Sequence, residues 1–298
     1  MLQRNFTEEQ VMFREAYRKF LAAEIVPHME EWREAGIVDR SAFSKAGAQG
    51  FLMIWPDEKY GGMGDDDFRF EQVIMEECAY ARVGDWYNTL HSRLVGPYLT
   101  RFGSEEQCQR FLPGCVSGDT ILAIAMTEPD AGSDLAGMRS TAVEQDDHWL
   151  LSGSKTYISN GINADLVVVA AKTDPENNPH AMTLFLVERG MEGFERGRNL
   201  KKMGLKGQDT AELFFNDVKV PKANVLGEPG KGFIYLMEGL AEERLIGACG
   251  YLAAGQLSWD LTAEFVRERK AFGKPVAHFQ NTQFKLAELR TKLDIAQT

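Results

Sequence analysis

Residues 121–134 of the chain, ILAIAMTEPDAGSD, join a strand pattern to a loop of small and hydroxyl-bearing residues. Ile121 to Ala125 form a continuous apolar run, which predicts a buried strand. Met126 to Asp134 then combine small side chains, hydroxyls and flexible backbone. Exposed N–H groups together with Thr and Ser hydroxyls suit a flavin edge or a pyrophosphate. An ordinary junction between a strand and a loop has a similar composition, so these residues alone leave both interpretations open.

The sequence before this stretch has the period of helices. Two capping boxes, Thr7–Gln10 and Ser104–Gln107, place a hydroxyl three residues before a glutamine and predict helix starts. The second helix should stop near Pro113. Further helical patterns cover residues 41–49, 67–82 and 86–101.

From about residue 119 to residue 222 the period becomes two. Residues 166–171 and 182–187 are the clearest strands, and Asp146-Asp147 marks a hairpin turn. Several short strands with regular turns favour an antiparallel barrel or sandwich. After residue 230 the helical period returns, with one helix over about 231–270, a break at Gly273-Lys274-Pro275 and a second helix from near Thr282.

This order of patterns predicts an α+β fold in three parts. Residues 1–118 form an N-terminal α-domain, residues 119–228 a middle β-domain, and residues 229–298 the first half of a C-terminal α-bundle. The chain ends at Thr298, just inside the second helix of the last part. We therefore expect that the bundle is present only in part.

Composition and charge exclude several classes of protein. The chain has 298 residues, 44% of them hydrophobic, and a net charge of -11, which disfavours nucleic acid and anionic membranes as partners. No apolar run has the length of a membrane span, and the N-terminus has no apolar signal core, so we expect a cytoplasmic protein. The four cysteines form no CxxC pair and the five histidines are scattered, so neither a disulfide framework nor a metal site is expected.

Four ordered segments resemble the acyl-CoA dehydrogenase family, the FAD enzymes of fatty-acid and branched-chain amino-acid oxidation. Met126 to Asp134 resembles the first family signature, and Gly153 to Gly161 (GSKTYISNG) resembles the strand that packs on the flavin ring. Residues 202–206 with 210–213 resemble the exit of the β-domain, and residues 268–273 with Gln280 resemble the stretch that reaches a neighbouring subunit's FAD. The resemblance covers the whole chain, and within the family the sequence looks like the long-chain acyl-CoA dehydrogenases, notably over residues 203–216.

The resemblance implies roles for individual residues. Thr127 would meet the flavin, Ser133 would lie near the pyrophosphate or the CoA moiety, and Tyr157 and Ser159 would cover the isoalloxazine and bond its edge. Arg269 and Gln280 would clamp the FAD of a partner subunit. Five further residues complete the implied cofactor set: Ile124, Met126, Gly132, Ile158 and Phe272. Without the resemblance, Arg269 would be a solvated charge beside Glu268, and Tyr157 an ordinary strand aromatic.

The implied reaction needs a carboxylate that removes a weakly acidic α-proton from a thioester. Within Ala241-Glu242-Glu243-Arg244-Leu245, Glu243 matches the helix position that the long-chain and isovaleryl branches use for this base. From pattern alone, Glu242 and Glu243 would be an acidic, solvated helix face. Arg244 would hold substrate or take part in helix packing. Asp130 departs from the family pattern, which usually has Gly there; if that position needs positive φ, Asp carries some strain.

The function that the resemblance implies is FAD-dependent dehydrogenation of a long-chain acyl-CoA to a trans-2-enoyl-CoA. Electrons would pass to electron transfer flavoprotein, and the subunits would assemble as a homodimer or homotetramer. Two alternatives stay open at this point. One is an acyl-CoA oxidase or flavin monooxygenase on the same fold, and the other is a truncated, non-catalytic assembly module.

Overall fold

Helices stand at both ends of the chain and strands lie between them in the computed structural model, which describes residues 6–174, 178 and 180–298. The first helices are α1 (Glu8–Phe20), α2 (Met29–Ala35), α3 (Ser41–Ala48), α4 (Arg69–Ala81), α5 (Gly96–Phe102) and α6 (Glu105–Ser117). The strands are β1 (Leu122–Ala125), β2 (Thr141–Glu144), β3 (His148–Ser159), β4 (Leu166–Lys172), β5 (Met182–Glu188), β6 (Phe194–Asn199), β7 (Thr210–Pro221) and β8 (Val225–Leu226). The last elements are α7 (Gly232–Glu268), the short strands β9 (Lys270–Ala271) and β10 (Lys274–Pro275), and α8 (Gln280–Gln297). The predicted α+β class is confirmed.

The described residues form two compact units. One contains α1, α4, the part of α7 from Arg244 onward, and α8. The other contains residues 23–67 and 84–243, which include strands β1 to β8 and the first turns of α7. The domain boundaries predicted after residues 118 and 228 stay a prediction. Glu243 is the last residue of the second unit.

Both predicted capping boxes are present. At α1 the Thr7 hydroxyl accepts from the Gln10 N–H at 3.2 Å, and the Gln10 side chain accepts from the Thr7 N–H at 3.1 Å. Ser104 and Gln107 make the same pair of hydrogen bonds at α6. Each box satisfies N–H groups that have no partner inside the helix.

The prediction that the second of these helices stops near Pro113 is wrong, because α6 continues to Ser117. The proline removes the N–H partner of the Gln109 carbonyl, and both Pro113 and Gln109 are exposed residues on the solvent side of the helix. The last turn buries Cys115, and Gly118 then ends the helix in the left-handed region with a φ of 80°.

The helix predicted over residues 86–101 is present from residue 88 onward, but it is not α-helical throughout. Leu90–Val95 is π-helical, and α5 follows it directly. Pro97, in the first turn of α5, has no N–H to give to a residue of the preceding turn, which removes one bond that would favour a continuous α-helix. π-Helical turns are frequent at functional sites.

The strands form a mixed sheet in the order β6-β7-β3-β2-β4-β5-β8, with β1 paired to β4. The sheet departs from the predicted antiparallel pattern at β4, which pairs in parallel with β1 and, through one bridge, with β2. The β2–β3 hairpin is inserted between β1 and β4, so β1 reaches β4 through a crossover. β4 and β5 are buried along almost their whole length, which explains their continuous apolar sequences.

The C-terminal elements agree closely with the predicted pattern. α7 spans most of the predicted residues 231–270, a tight antiparallel hairpin at β9 and β10 contains the Gly273 break, and α8 begins at Gln280. Within the described part of the chain, no helix combines the length and apolar content needed to cross a membrane. All four cysteines are free thiols.

Candidate active site

The loop that follows β1 lies against β3. The Thr156 N–H donates to the Thr127 carbonyl at 2.9 Å, and the Lys155 ammonium group donates to the Met126 carbonyl at 3.2 Å. Ile124 and Met126 are half-buried and pack against a hydrophobic cluster of the same unit. The structure therefore brings together the first two sequence segments that carry candidate cofactor residues.

Tyr157 turns its ring to solvent at a bulge in β3. The register with β7 shifts between Lys155 and Ile158, and Tyr157 has a φ of 58°, in the left-handed region. Tyr157 is 69% exposed while Ile158 is buried, and Ser159 is half-buried. A bulky residue with positive φ is strained, and such residues concentrate at functional sites. The bulge presents a flat aromatic surface that suits a planar ring.

A buried ion pair joins β3 to the loop after β1. The Lys155 ammonium group is 2.8 Å from Glu128 Oε1, and the side chains are 0% and 4% exposed. Burial lowers the pKa of Lys155 to about 8, although the attraction of Glu128 opposes the change. Burial would raise the pKa of Glu128, but Lys155 and the hydrogen bonds to this carboxylate outweigh it, so the pKa lies below its usual value. The pair was not predicted, because its members are far apart in sequence.

Glu128 also closes the loop between β1 and β2. Its Oε2 accepts from the Arg139 N–H at 2.6 Å, and its Oε1 accepts from the Ser140 N–H at 3.0 Å. Both ends of the loop are therefore fixed to one carboxylate. The loop between them carries the candidate residues Gly132 and Ser133, and both of these are exposed.

Asp130 lies in this loop without the strain that a left-handed conformation would bring. It is not among the residues with positive φ. Its carboxylate lies 3.0 Å from the guanidinium group of Arg139, and both side chains are exposed. A Cβ atom on the nearby Gly132 would meet no atom within 4 Å, so the space beside the loop is open.

These residues fit the FAD that the sequence implies. Hydroxyl groups of Thr127, Ser133 and Ser159 offer hydrogen-bond partners, Tyr157 offers an aromatic face, and the space beside Gly132 admits a bulky group. The donors and the aromatic surface come from adjoining segments of one unit. The chemistry of this set is suited to a heterocycle joined to phosphate groups.

The two glutamates on α7 have different surroundings. Glu242 accepts from Arg93 Nε at 2.5 Å through one oxygen and from Arg101 through the other. Glu243, one residue on and half-buried, accepts from the Tyr98 hydroxyl at 3.3 Å. Two ion pairs tie Glu242 to the segment around α5, and the Tyr98 hydroxyl is a neutral donor to Glu243.

The remaining predicted site residues belong to the other unit. Arg244 is exposed on α7. Arg269, Phe272 and Gln280 lie around the β9–β10 hairpin, where the Val276 N–H donates to the Arg269 carbonyl at 2.8 Å. Phe272 is 96% exposed, and Arg269 and Gln280 are exposed as well. Phe272 lies in the turn of the hairpin, Arg269 directly precedes it, and Gln280 begins α8 after it.

Comparison with known proteins agrees with this geometry. Three family models match the chain: acyl-CoA dehydrogenase, N-terminal domain over residues 7–119, middle domain over 123–218, and C-terminal domain over 230–298. The long-chain specific acyl-CoA dehydrogenase, mitochondrial, of Sus scrofa is 47% identical over 298 residues, which are 99% of this chain and 69% of that protein. The isovaleryl-CoA dehydrogenase, mitochondrial, of Pongo abelii is 39% identical over 96% of this chain and 69% of its own length.

A solved structure supports the same assignment. The crystal structure of an acyl-CoA dehydrogenase from Geobacillus kaustophilus is 51% identical and superposes with a TM-score of 0.94 over 98% of this chain and 77% of that one. Matches of this extent cover the helices, the sheet and the loop after β1 together. The chain belongs to the acyl-CoA dehydrogenase family, whose members are enzymes that bind FAD and dehydrogenate acyl-CoA thioesters.

Proposed function

We propose that this enzyme dehydrogenates long-chain acyl-CoA thioesters to trans-2-enoyl-CoA, and that Glu243 is the base that removes the α-proton. The observation that carries the assignment of the base is the pairing of the neighbouring Glu242 with two arginines. Both oxygens of Glu242 are engaged by arginines, and the carboxylate of Glu243 accepts a hydrogen bond from the Tyr98 phenol. A base must accept a proton during the reaction, and a carboxylate held by two guanidinium groups is poorly suited to do so.

Glu243 would take the proton from the α-carbon, and the electron pair of that C–H bond would form the new α,β double bond. The β-hydrogen leaves with its own electron pair. FAD, when bound, supplies the acceptor for this hydride. The half-buried position of Glu243 limits its hydration, which favours proton transfer to it.

Residues of the β1–β2 loop and β3 would hold the cofactor. Thr127 and Ser159 would bond its ring edge, Tyr157 would cover the ring, and Ser133 would meet its phosphates or those of the CoA moiety. Support comes from the Thr156–Thr127 hydrogen bond, which joins the two segments, and from the exposed ring of Tyr157.

The base assignment can be tested with matched variants in the FAD-loaded enzyme. Glu243→Gln should lower turnover of palmitoyl-CoA and α-deuterium exchange of the bound thioester by roughly a thousandfold, within the range for loss of a general base. Glu242→Gln, one residue away, should retain most of both activities. Exchange at the wild-type rate in Glu243→Gln would remove Glu243 from the mechanism.

The long-chain assignment rests on the higher identity to the long-chain enzyme than to the isovaleryl enzyme. We expect kcat/KM to rise from butyryl-CoA through octanoyl-CoA to palmitoyl-CoA and to be lowest for isovaleryl-CoA. A maximum at isovaleryl-CoA or butyryl-CoA would assign the enzyme to another substrate class while leaving the reaction type intact.

We also infer that electron transfer flavoprotein is the electron acceptor. With palmitoyl-CoA as donor, purified electron transfer flavoprotein should be reduced much faster than oxygen is consumed. An oxidase or monooxygenase would show the opposite order.

A neighbouring subunit is the third partner that we propose. Arg269, Phe272 and Gln280 stand exposed around one hairpin, and this arrangement supports contact with the FAD of another copy in a homodimer or homotetramer. Arg269→Ala should lower the FAD content of the purified protein. Lys270→Ala is the control, because Lys270 is the next residue and is also exposed, and it should leave the FAD content unchanged. Sedimentation velocity would establish the number of subunits, and a monomer with full FAD content would contradict the proposal.

A further inference from the structure

Tyr98 brings a buried phenol against the carboxylate of Glu243. The hydroxyl donates to Glu243 Oε1 at 3.3 Å, and Tyr98 is 2% exposed. This distance is longer than is usual for O–H···O bonds, as hydrogen bonds of catalytic groups often are before substrate binds. Burial and then the charge of Glu243 raise the pKa of Tyr98 above its usual value, so the phenol keeps its proton and acts as a donor.

The phenol is held in place by its surroundings. A Cβ atom on Gly239, one turn before Glu243 on α7, would overlap the Tyr98 hydroxyl, so only glycine leaves room for it there. The ring of Tyr98 packs against Phe102 with centroids 5.9 Å apart, and Phe102 stacks on Tyr235 at 4.0 Å. The aromatic stack therefore joins α5 to the first turn of α7 and fixes the direction of the hydroxyl.

Two arginines near this contact form ion pairs with Glu242. Arg101, on the same helix as Tyr98, lowers the pKa of the phenol but forms an ion pair with Glu242, as Arg93 does. Arg93 is also paired with Asp66 at 2.6 Å. The arginine cluster therefore engages Glu242, while a neutral donor is placed on Glu243.

We propose that Tyr98 is a positioning residue for the reaction: it orients the carboxylate of Glu243 and stabilises its ionised form. This inference rests on the proposed role of Glu243. A donor on the ionised carboxylate favours that form, so the base stays ready to accept a proton at lower pH than it would without the phenol. Gly239 takes part by leaving space for the hydroxyl.

The test is Tyr98→Phe in the FAD-loaded enzyme, because this change removes the hydroxyl and keeps the ring. We expect kcat for palmitoyl-CoA to fall about tenfold with little change in KM, as misorientation of a reacting group does. We also expect the acid limb of the kcat profile to move to higher pH. Tyr17→Phe is the matched control, since it removes the hydroxyl of another buried tyrosine, whose partner is the Cys78 thiol and not Glu243; kcat and its pH profile should stay as in the wild type.

A second variant and a direct readout separate the possible outcomes. Gly239→Ala should displace the phenol and reproduce the shift of the pH profile, and far-UV circular dichroism should verify that each variant is folded. Loss of α-deuterium exchange in Glu243→Gln, combined with an unchanged rate and pH profile in Tyr98→Phe, would overturn this inference and leave the proposed function intact. Exchange that persists in Glu243→Gln would instead overturn the proposed function.

Discussion

The ammonium group of Lys155 on β3 lies 2.8 Å from Glu128, in the loop after β1, and both side chains are buried. Lys155 also donates to the Met126 carbonyl, and Glu128 accepts from two N–H groups at the far end of its loop. One ion pair therefore joins the strand that carries Tyr157 to the loop that carries Ser133. We therefore expect this ion pair to contribute both to the stability of the fold and to the placement of the residues that would bind the cofactor.

Substitution of one member of this pair should be strongly destabilising. Lys155→Met leaves a buried carboxylate without its cation, and we expect the free energy of unfolding to fall by about 3–5 kcal/mol. The double variant Lys155→Met with Glu128→Gln should lose less than the sum of the single variants, because the amide keeps an acceptor for the backbone and carries no charge. Urea denaturation measures all three values. Additive losses would show that the two side chains do not stabilise one another.

The pH dependence of stability should contain a large contribution from His91. Its Nε2 bonds the Cys115 carbonyl at 2.9 Å and its Nδ1 accepts from the Leu122 N–H at 3.1 Å, and burial lowers its pKa to about 4. The unfolded chain binds a proton near pH 6.5 and the folded chain only near pH 4, so the stabilisation is complete above pH 6.5 and is lost as the pH falls toward 4. Protonation of His91 in the unfolded chain should therefore lower the free energy of unfolding by about 3 kcal/mol as the pH falls from 6.5 to 4.

The measurement that checks this is urea denaturation at several pH values between 4 and 7. His91→Gln should be less stable than the wild type at pH 7 and should show a shallower decline toward pH 4. His278→Gln, at an exposed position, should leave the slope as it is. Equal slopes in the wild type and His91→Gln would contradict the expectation.

Substitutions of two glycines in the turn between β5 and β6 would distinguish the cost of backbone strain from the cost of steric overlap. Gly190 and Gly193 connect β5 to β6 with φ values of 88° and 82°, but a Cβ on Gly193 would overlap the Asn216 carbonyl, whereas one on Gly190 would meet nothing within 4 Å. Gly190→Ala should lower the free energy of unfolding, measured by urea denaturation, by about 1–2 kcal/mol, because alanine is strained in the left-handed conformation. Gly193→Ala should lower the free energy of unfolding by about 2 kcal/mol more than Gly190→Ala does, because the alanine must also displace the backbone of β7. Equal losses of unfolding free energy in the two variants would contradict this prediction, because they would show that β7 moves aside without an energetic penalty.

Cofactor retention should depend on the ring of Tyr157. Tyr157→Ala should lower the FAD content of the purified protein by about tenfold, since loss of aromatic contact removes much of the packing on a planar ring. Tyr157→Phe should retain FAD, and Phe214→Ala, an exposed aromatic on the adjacent strand, should retain it as well. The apoprotein of Tyr157→Ala should unfold at the wild-type temperature, because this ring is exposed in the structure. Full FAD content in Tyr157→Ala would exclude the ring from the cofactor site.

Local sequence was sufficient wherever neighbours in the chain determine the structure. The capping boxes at Thr7 and Ser104, the buried strands β4 and β5 and the long helix α7 depend on hydrogen bonds and burial patterns within single elements, and all are present. Pro113 shows the limit of such reasoning. The burial of Cys115 beyond it, which the local pattern does not contain, keeps the helix intact.

Resemblance of motifs identified the family and its FAD, and the comparisons confirm both. The sequence could not distinguish Glu242 from Glu243 by chemistry, because two adjacent acids on a helix carry the same charge and the same propensity. Their difference comes from side chains more than a hundred positions away: Arg93 and Arg101 engage one carboxylate, and Tyr98 contacts the other.

The sequence by itself determined the order of helices and strands, the family and the candidate residues, because these depend on periodicity and on motifs of a few residues. Only the tertiary structure decided that Lys155 is buried on Glu128, that Tyr157 faces outward and that a phenol lies against Glu243. Each of these relationships joins segments distant in the chain. Desolvation and hydrogen bonding act through space, so their effects exist only once the fold has brought such groups together.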